Sequence, residues 1–427
     1  MKQLNKIIYL KAELLLTSAL VIGGDSDDTA DLTPLRDYNG NPFIPGTSMA
    51  GALRDFALKA GLDEKLVNTL FGYTLRARSS VESFHSKVVI HDCFAQENLQ
   101  TATRDMVALD EKTKTAKPHS KFDVELIPRG AKFDFRIELI TYKGDDPKLE
   151  ECFLSLMKAM SNEKIRLGAK RRRGWGKFRL DKVKCEKLDF LKPEDIKRWM
   201  DFSWDTIKTG NGEIAAAPEL SLNKTIWEIP FSIPGALLIR SYQDFGEDDA
   251  VMFKENDEPM IPATSFTGCL RKACFDIVYY DLKLQDPELV LNHIFGYVNE
   301  TEKTSQASKL FVEDIILCSK KEASYTRNKI NRFTGGTEDS ALFTNKPIYN
   351  SNGKIEIEFS AELEPWIQQL LCYALLDIGQ GIVPLGGETS IGRGILSIDP
   401  KDIPSPEAGG SALYEYLKNN PKREAAQ

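Results

Sequence analysis

The chain has 427 residues, a length that accommodates two or three domains of ordinary size. Hydrophobic residues make up 42%, enough to bury a core in each, and the net charge of −7 excludes a surface that is basic throughout. Any nucleic-acid binding must therefore rest on local patches. The longest apolar run, residues 13–24, is too short to span a membrane, and the N-terminus lacks the layout of a signal peptide. The seven cysteines are scattered, with no C-x-x-C pair, which suits reduced thiols of a cytoplasmic protein. No structural zinc is expected: His85 and His91 lie near Cys93, but no second ligand pair has metal spacing.

In chain order, the first predicted element is a strand in which Ile8, Leu10, Ala12 and Leu14 alternate with more polar neighbours. The acidic stretch GGDSDDTADLTPLRD follows at 23–37, with Asp25, Asp27, Asp28, Asp31 and Asp37. It is no EF-hand, having neither the turn glycine nor the closing glutamate. A helix is expected to start at Thr47-Ser48, whose hydroxyls suit an N-cap, and to bury Met49, Ala52, Leu53 and Phe56. Gly51 inside it predicts close packing against a neighbour. A long polar excursion at 103–126 leads to a strand at 132–139, a second helix at 146–162 and a glycine-rich turn, LGAKRRRGWGK, at 167–177. Loops of that length are usually functional or disordered. A Gly-, Ala- and Pro-rich linker is expected at 209–221.

The rest of the chain repeats this order. IPGTSMAGALR at Ile44 and IPATSFTGCLR at Ile261 share seven of eleven residues at an offset of 217. LGAKRRRGWG at Leu167 and LGGETSIGRG at Leu385 match at 218, LFGY and IFGY at 224, and FDFRIEL and IEIEFSA at 222. The second copy has a strand with Trp227, Ile229, Phe231 and Ile233 inward. Its helix begins at Thr264-Ser265, with Phe266, Cys269, Leu270 and Ala273 on one face and Gly268 at the register of Gly51. A second helix is predicted at 364–380 and a closing strand at ILSI. The tail beyond Pro400 is polar and expected to be flexible. Each copy thus reads β-α-β-β-α-β, the ferredoxin-like order of many RNA-binding sheets. The predicted layout is α+β: a first domain at 1–208, the linker at 209–221, a second domain at 222–400 and a tail at 401–427.

Several residues are candidates for RNA contact. Gly168, Gly174 and Gly176 recur as Gly386, Gly392 and Gly394, where backbone N–H groups can approach phosphate, or where the chain simply turns tightly. Lys170, Arg171, Arg172, Arg173 and Lys177 add a phosphate-binding footprint to the first turn. Trp175 among them either stacks on a base or packs. The second turn carries only Arg393, beside Glu388. Arg54 and Arg271 recur in the repeated helix, where a solvated arginine is the plain alternative. His85, His91, His119 and His293 show no repeated placement, so histidine catalysis is not supported.

GNPFIPGTSMAGALR, TRDMVALDEKTKTA and LGAKRRRGWGKF together resemble the RAMP superfamily, over nearly the whole chain and twice. The nearest resemblance is to type III CRISPR backbone subunits, and two fused copies resemble the fused subunit of type III-D systems. The resemblance implies binding of guide crRNA and complementary target RNA, assembly with other effector subunits, and a prokaryotic cytoplasmic setting without a membrane. It makes the excursion within 103–126 and that at 328–349 thumb hairpins, which prop the guide–target duplex open at intervals. It implies metal-dependent cleavage, with Mg²⁺, by an aspartate six residues before the last residue of a Pro-x-Arg-Asp segment. DLTPLRD places that role on Asp31. Asp31 lies 14 residues before Pro45 and Asp248 14 before Pro262, so Asp31 and Asp248 are the expected metal ligands. Asp244 and Asp249 remain alternatives in the second copy, and Asp28 is a possible assistant. Guide contact is expected from Thr47, Ser48 and Ser265, from Arg54 and Arg271, and from the two glycine turns. The alternatives are a scaffold without catalysis and, from another class, a tandem ferredoxin-like metabolic enzyme, for which no small-molecule motif is present.

Overall fold

A computed structural model describes residues 3–23, 31–77, 80–96, 99–109, 116–207, 210, 212–241, 248–299, 302–318, 321–404 and 411–419. The chain is mixed α+β and forms two compact units. One is built from residues 1–107, 118–171 and 175–223, the other from 224–427 with 108–117 and 172–174.

The main elements of the first unit are β1 (Leu4–Leu16), α1 (Gly46–Lys59), α2 (Glu64–Phe71), β2 (Val88–Ile90), β3 (Ala102–Leu109), β4 (Ala116–Leu126), β5 (Lys132–Tyr142), α3 (Lys148–Ser161), β6 (Phe178–Asp189) and α4 (Pro193–Met200). β6, β1, β5 and β2 pair in that order, all antiparallel. Period-two alternation decides which face is buried. Ile8, Leu10, Ala12 and Leu14 lie opposite Leu139, Ile137, Phe135 and Phe133, and all pack with Met49, Leu53 and Phe56 of α1 and Phe153, Leu156 and Met160 of α3. The other face carries Ile7, Tyr9 and Leu188, covered by Ile207 and an aromatic group in which Tyr9 stacks on Phe202 at 3.9 Å.

The expected linker is part of this unit. A short helix at Gly212–Ala216 buries Ile214, with Ala217 just beyond, and Lys158 Nζ donates to the Ala215 and Ala217 carbonyls at 2.9 and 2.7 Å. Gly, Ala and Pro content marks a chain without bulky side chains, and here small size serves packing.

The second unit contains β7 (Lys224–Leu237), α5 (Ala263–Asp276), α6 (Pro287–Phe295), β8 (Leu310–Val312), β9 (Tyr325–Ile330), β10 (Thr337–Lys346), β11 (Ile348–Ser360) and α7 (Pro365–Gly379). β7, β11 and β8 form the sheet, with Trp227, Ile229 and Phe231 buried against α5 and α7. The expected last strand, ILSI, is reduced to a bridge between Ser397 and Ser232. The tail, expected to be flexible, carries a helix at Ser411–Asn419: Leu413 is buried, its N–H donates to Gln369 Oε1 at 2.7 Å, and Tyr416 stacks on Trp366 at 3.9 Å.

Two further expectations are corrected. α1 and α5 begin at Gly46 and Ala263, before the Thr-Ser pairs, with Pro45 and Pro262 in extended backbone as N-caps. Their first N–H groups are satisfied from elsewhere, by Asp92 Oδ1 and Asp314 Oδ1, both at 2.7 Å, so no hydroxyl cap is needed. Gly51 and Gly268 are exposed, and a Cβ at either would meet nothing within 4 Å. Close packing does not explain them. Among the described residues no helix is long and apolar enough to cross a membrane.

Candidate functional site

After β1 the chain returns as an extended segment beside β4, with Leu32 bridging Val124 in parallel. This fixes Asp31 from both sides. Its N–H donates to the Asp123 carbonyl at 3.1 Å, and its Oδ2 accepts the Asp123 N–H at 2.9 Å. The side chain is exposed. One carboxylate oxygen is thus held by backbone while the residue faces solvent. The second unit builds the same ring. A strand at Ala250–Met252 runs parallel to β10, the Asp249 N–H donates to the Thr344 carbonyl at 2.8 Å, and Asp249 Oδ2 accepts the Thr344 N–H at 2.6 Å.

Asp249, not Asp248, therefore occupies the position of Asp31. Counting back from the helix proline picks Asp248, but the second copy is one residue shorter between these points: Asp249 lies 13 residues before Pro262, Asp31 14 before Pro45. Asp248 is half-buried and accepts from Ser324 Oγ at 3.5 Å. Asp28 and Asp244 lie outside the described residues, as do Asp25 and Asp27. Asp37 accepts the N–H groups of Asn39 and Asn41, both at 2.9 Å, so it shapes its own turn.

The two carboxylates differ in surroundings. Facing Asp31 is Asp123, whose buried Oδ1 meets no hydrogen-bond donor among the described residues and lies 3.9 Å from Lys121 Nζ. Facing Asp249 is Thr344. Among the described residues no three His, Cys, Asp or Glu side chains gather closely enough to hold a metal ion.

The glycine turns match in backbone but not in charge. Lys170 and Glu388, at matching positions, are both left-handed, with φ of 54° and 58°. Gly176 and Gly394 have φ of 84° and 78°, and a Cβ at either would collide with the carbonyl oxygen of Leu167 or Leu385. Their N–H groups are already taken, by the Ala19 and Ala236 carbonyls at 2.8 Å. Gly392 donates to the Thr389 carbonyl at 3.1 Å. Gly168 and Gly386 likewise have positive φ, 74° and 87°, and a Cβ at either would collide with the carbonyl oxygen of Val21 or Leu238. These glycines make a tight turn, and the N–H groups of Gly176, Gly392 and Gly394 are not offered to a phosphate. Gly174, φ 83°, is buried.

Trp175 is 1% exposed and packs with Ala19, Val21, Met106, Val124 and Leu126, so it is a core residue and not a stacking platform. Arg104, 6% exposed, lies over its ring at 5.6 Å. Lys170 is half-buried over Phe122 at 4.1 Å. Of the basic run, Arg171 and Arg173 are exposed and Arg172 is half-buried, on one turn of 3₁₀ helix. Arg171 reaches Asp55 at 3.5 Å. Lys177 is half-buried, and its N–H donates to Ser18 Oγ at 2.8 Å. In the second unit Arg393 has 5% of its side chain exposed and pairs with Glu388, which also accepts from Asn345 Nδ2 at 2.5 Å and lies 3.9 Å from Arg327. That turn is neutralised from within.

Arg54 and Arg271 are structural. Arg54 donates to Asn68 Oδ1 at 2.5 Å and to the Gly72 carbonyl at 3.2 Å, and Arg271 to Asn292 Oδ1 at 3.3 Å and Glu288 Oε2 at 3.0 Å. Each ties its helix to the next one. Thr47 is exposed, while Ser48 and Ser265 are half-buried at the helix starts. The long excursions form hairpins, β3–β4 and β9–β10, and Phe333 is 99% exposed between the strands of the second.

A sequence model of the RAMP superfamily matches residues 13–179 and 210–397. No curated protein matches the chain.

Proposed function

The chain belongs to the RAMP superfamily, and from that footing we propose that it is a guide-RNA-binding backbone subunit of a type III CRISPR effector, each ferredoxin-like unit presenting one aspartate to target RNA. The supporting observation is the repeated ring: Asp31 and Asp249 are exposed, held by the same pair of backbone bonds, and set at the base of a hairpin. RNA supplies its own nucleophile, the 2′-OH, so a cleaving site must orient that oxygen and receive its proton. A carboxylate fixed through one oxygen keeps the other for that work. Oxygen donors in this number suit Mg²⁺ only when water and RNA phosphate complete its shell. Bound there, the ion would supply charge stabilisation at the scissile phosphate. Arg171, Arg172 and Arg173, on one turn of 3₁₀ helix, are the cations we assign to guide phosphates. Arg393 and Trp175 hold the fold.

A scaffold without catalysis is the second reading, compatible with rings that each hold a single exposed aspartate through backbone. The two part on one experiment. In the assembled complex with end-labelled target RNA, Asp31→Asn and Asp249→Asn are each expected to abolish one set of cuts, and the double variant all of them, with target binding retained. Cleavage at wild-type rate in the double variant sinks the catalytic reading.

A further inference from the structure

We infer that ion pairs behind the two aspartates position them, and that the two units reach this with different residues. The inference rests on the cleavage reading above. In the first unit the segment carrying Asp31 is held to β4 by more than the Asp31–Asp123 ring. The Glu125 N–H donates to the Leu32 carbonyl at 2.9 Å. Arg36, five residues after Asp31, places one terminal nitrogen 2.5 Å from Glu125 Oε1 and the other 2.8 Å from the Gly40 carbonyl. Thr101 Oγ1 donates to the same Glu125 oxygen. Glu125 keeps 13% of its side chain exposed, so its charge is largely removed from water and relies on Arg36.

In the second unit Lys254 stands five residues after Asp249, as Arg36 does after Asp31. Lys346 stands two residues after Thr344, as Glu125 does after Asp123. A direct copy would set two cations face to face. Instead Glu322 bridges them, 2.5 Å from Lys254 and 3.3 Å from Lys346. Its side chain is 15% exposed. Although burial acts to raise the Glu322 pKa, the hydrogen bond and charge of Lys254, followed by those of Lys346, hold it below the usual value. A cation–anion pair has become a cation–anion–cation relay at the same place. One tie in two chemical versions points to a geometric requirement on the segment that bears the aspartate.

These are positioning residues: neither ion pair needs to touch RNA. Misplacing a reacting group by about 1 Å costs on the order of 100-fold in rate. The test uses the assembled guide-loaded complex. Arg36→Met is expected to slow the cut set that Asp31→Asn abolishes by about 10- to 100-fold, leaving the other set and target affinity unchanged. Lys254→Met is expected to do the same to the Asp249 set. The exchange Arg36→Glu with Glu125→Arg is expected to recover most of the first set. Wild-type cutting of both sets in Arg36→Met and Lys254→Met, with each aspartate variant losing its own set, overturns the inference and leaves the cleavage reading intact. If the aspartate variants themselves cut normally, the cleavage reading fails and the inference falls with it. Equal loss of both sets in Arg36→Met, without recovery in the exchange, marks a general structural role and also overturns it.

Discussion

Trp175 sits in a run of exposed or half-buried cations and yet is 1% exposed. Its indole fills the space between Ala19, Val21, Met106, Val124 and Leu126, with Arg104 over one face. Trp175→Ala is expected to cost the first unit about 3–5 kcal/mol, the range for emptying an aromatic core site, read as a lower denaturant midpoint. A midpoint unchanged while RNA affinity drops would make it a base-stacking residue after all. The glycine register is legible in the sequence as spacing. The burial of Trp175 is not, because the residues that enclose it come from β3, β4 and the segment after β1, remote in the chain. Asp249 ranks behind Asp248 in the sequence for a different reason: strand register, not distance to a proline, sets the position matching Asp31, and the loop lengths differ by one residue.

Among the elements, the repeat extends to a tie between the approach to α3 or α7 and the lysine just before β2 or β8. In the first unit Lys87 Nζ pairs with Asp145 at 2.6 Å. In the second, Glu364, the residue just before α7, takes Lys309 Nζ at 2.6 Å and His293 Nε2 at 2.9 Å, with Tyr416 nearby. Burial alone would raise the Glu364 pKa, but the bonds from Lys309, its own backbone and His293 hold it down to about 2 from an ordinary 4.5. A depressed carboxyl stabilises the fold fully above its unfolded pKa and loses that contribution as pH falls through the folded one. The tie is therefore expected to hold from neutrality to about pH 4.5 and to weaken toward pH 2. The measurement is urea unfolding from pH 6 to 2.5 for wild type and Glu364→Gln: the variant is expected to be less stable at pH 6, with the gap closing on acidification. A gap independent of pH would show that Glu364 contributes no charge. The exposure of the pair to solvent keeps the effect modest. None of this is readable from composition, since Asp145 and Glu364 are ordinary surface-type residues until the fold brings a lysine to each.

For the whole molecule, a net charge of −7 means that RNA affinity must come from few places. Arg393 is paired inside its turn, and Arg54 and Arg271 are bonded between helices; under the proposed function the turn at Arg171–Arg173 is expected to carry more of that load. Replacing all three arginines by Gln is expected to reduce the slope of log affinity against log salt by about 0.7 for each single-stranded phosphate that is no longer neutralised. Arg393→Gln is expected to lower stability and leave the slope alone. The tandem organisation is fully legible from the repeated segments, whereas the charge reversal between the two glycine turns needs the partners of Lys170 and Glu388 to give it meaning. The central claim is that this chain carries a guide. Native mass spectrometry of the protein purified from its own cells tests that most directly. The account predicts a particle in which the chain is bound to one RNA of defined length together with other protein subunits. A chain that emerges free of RNA and alone would contradict it.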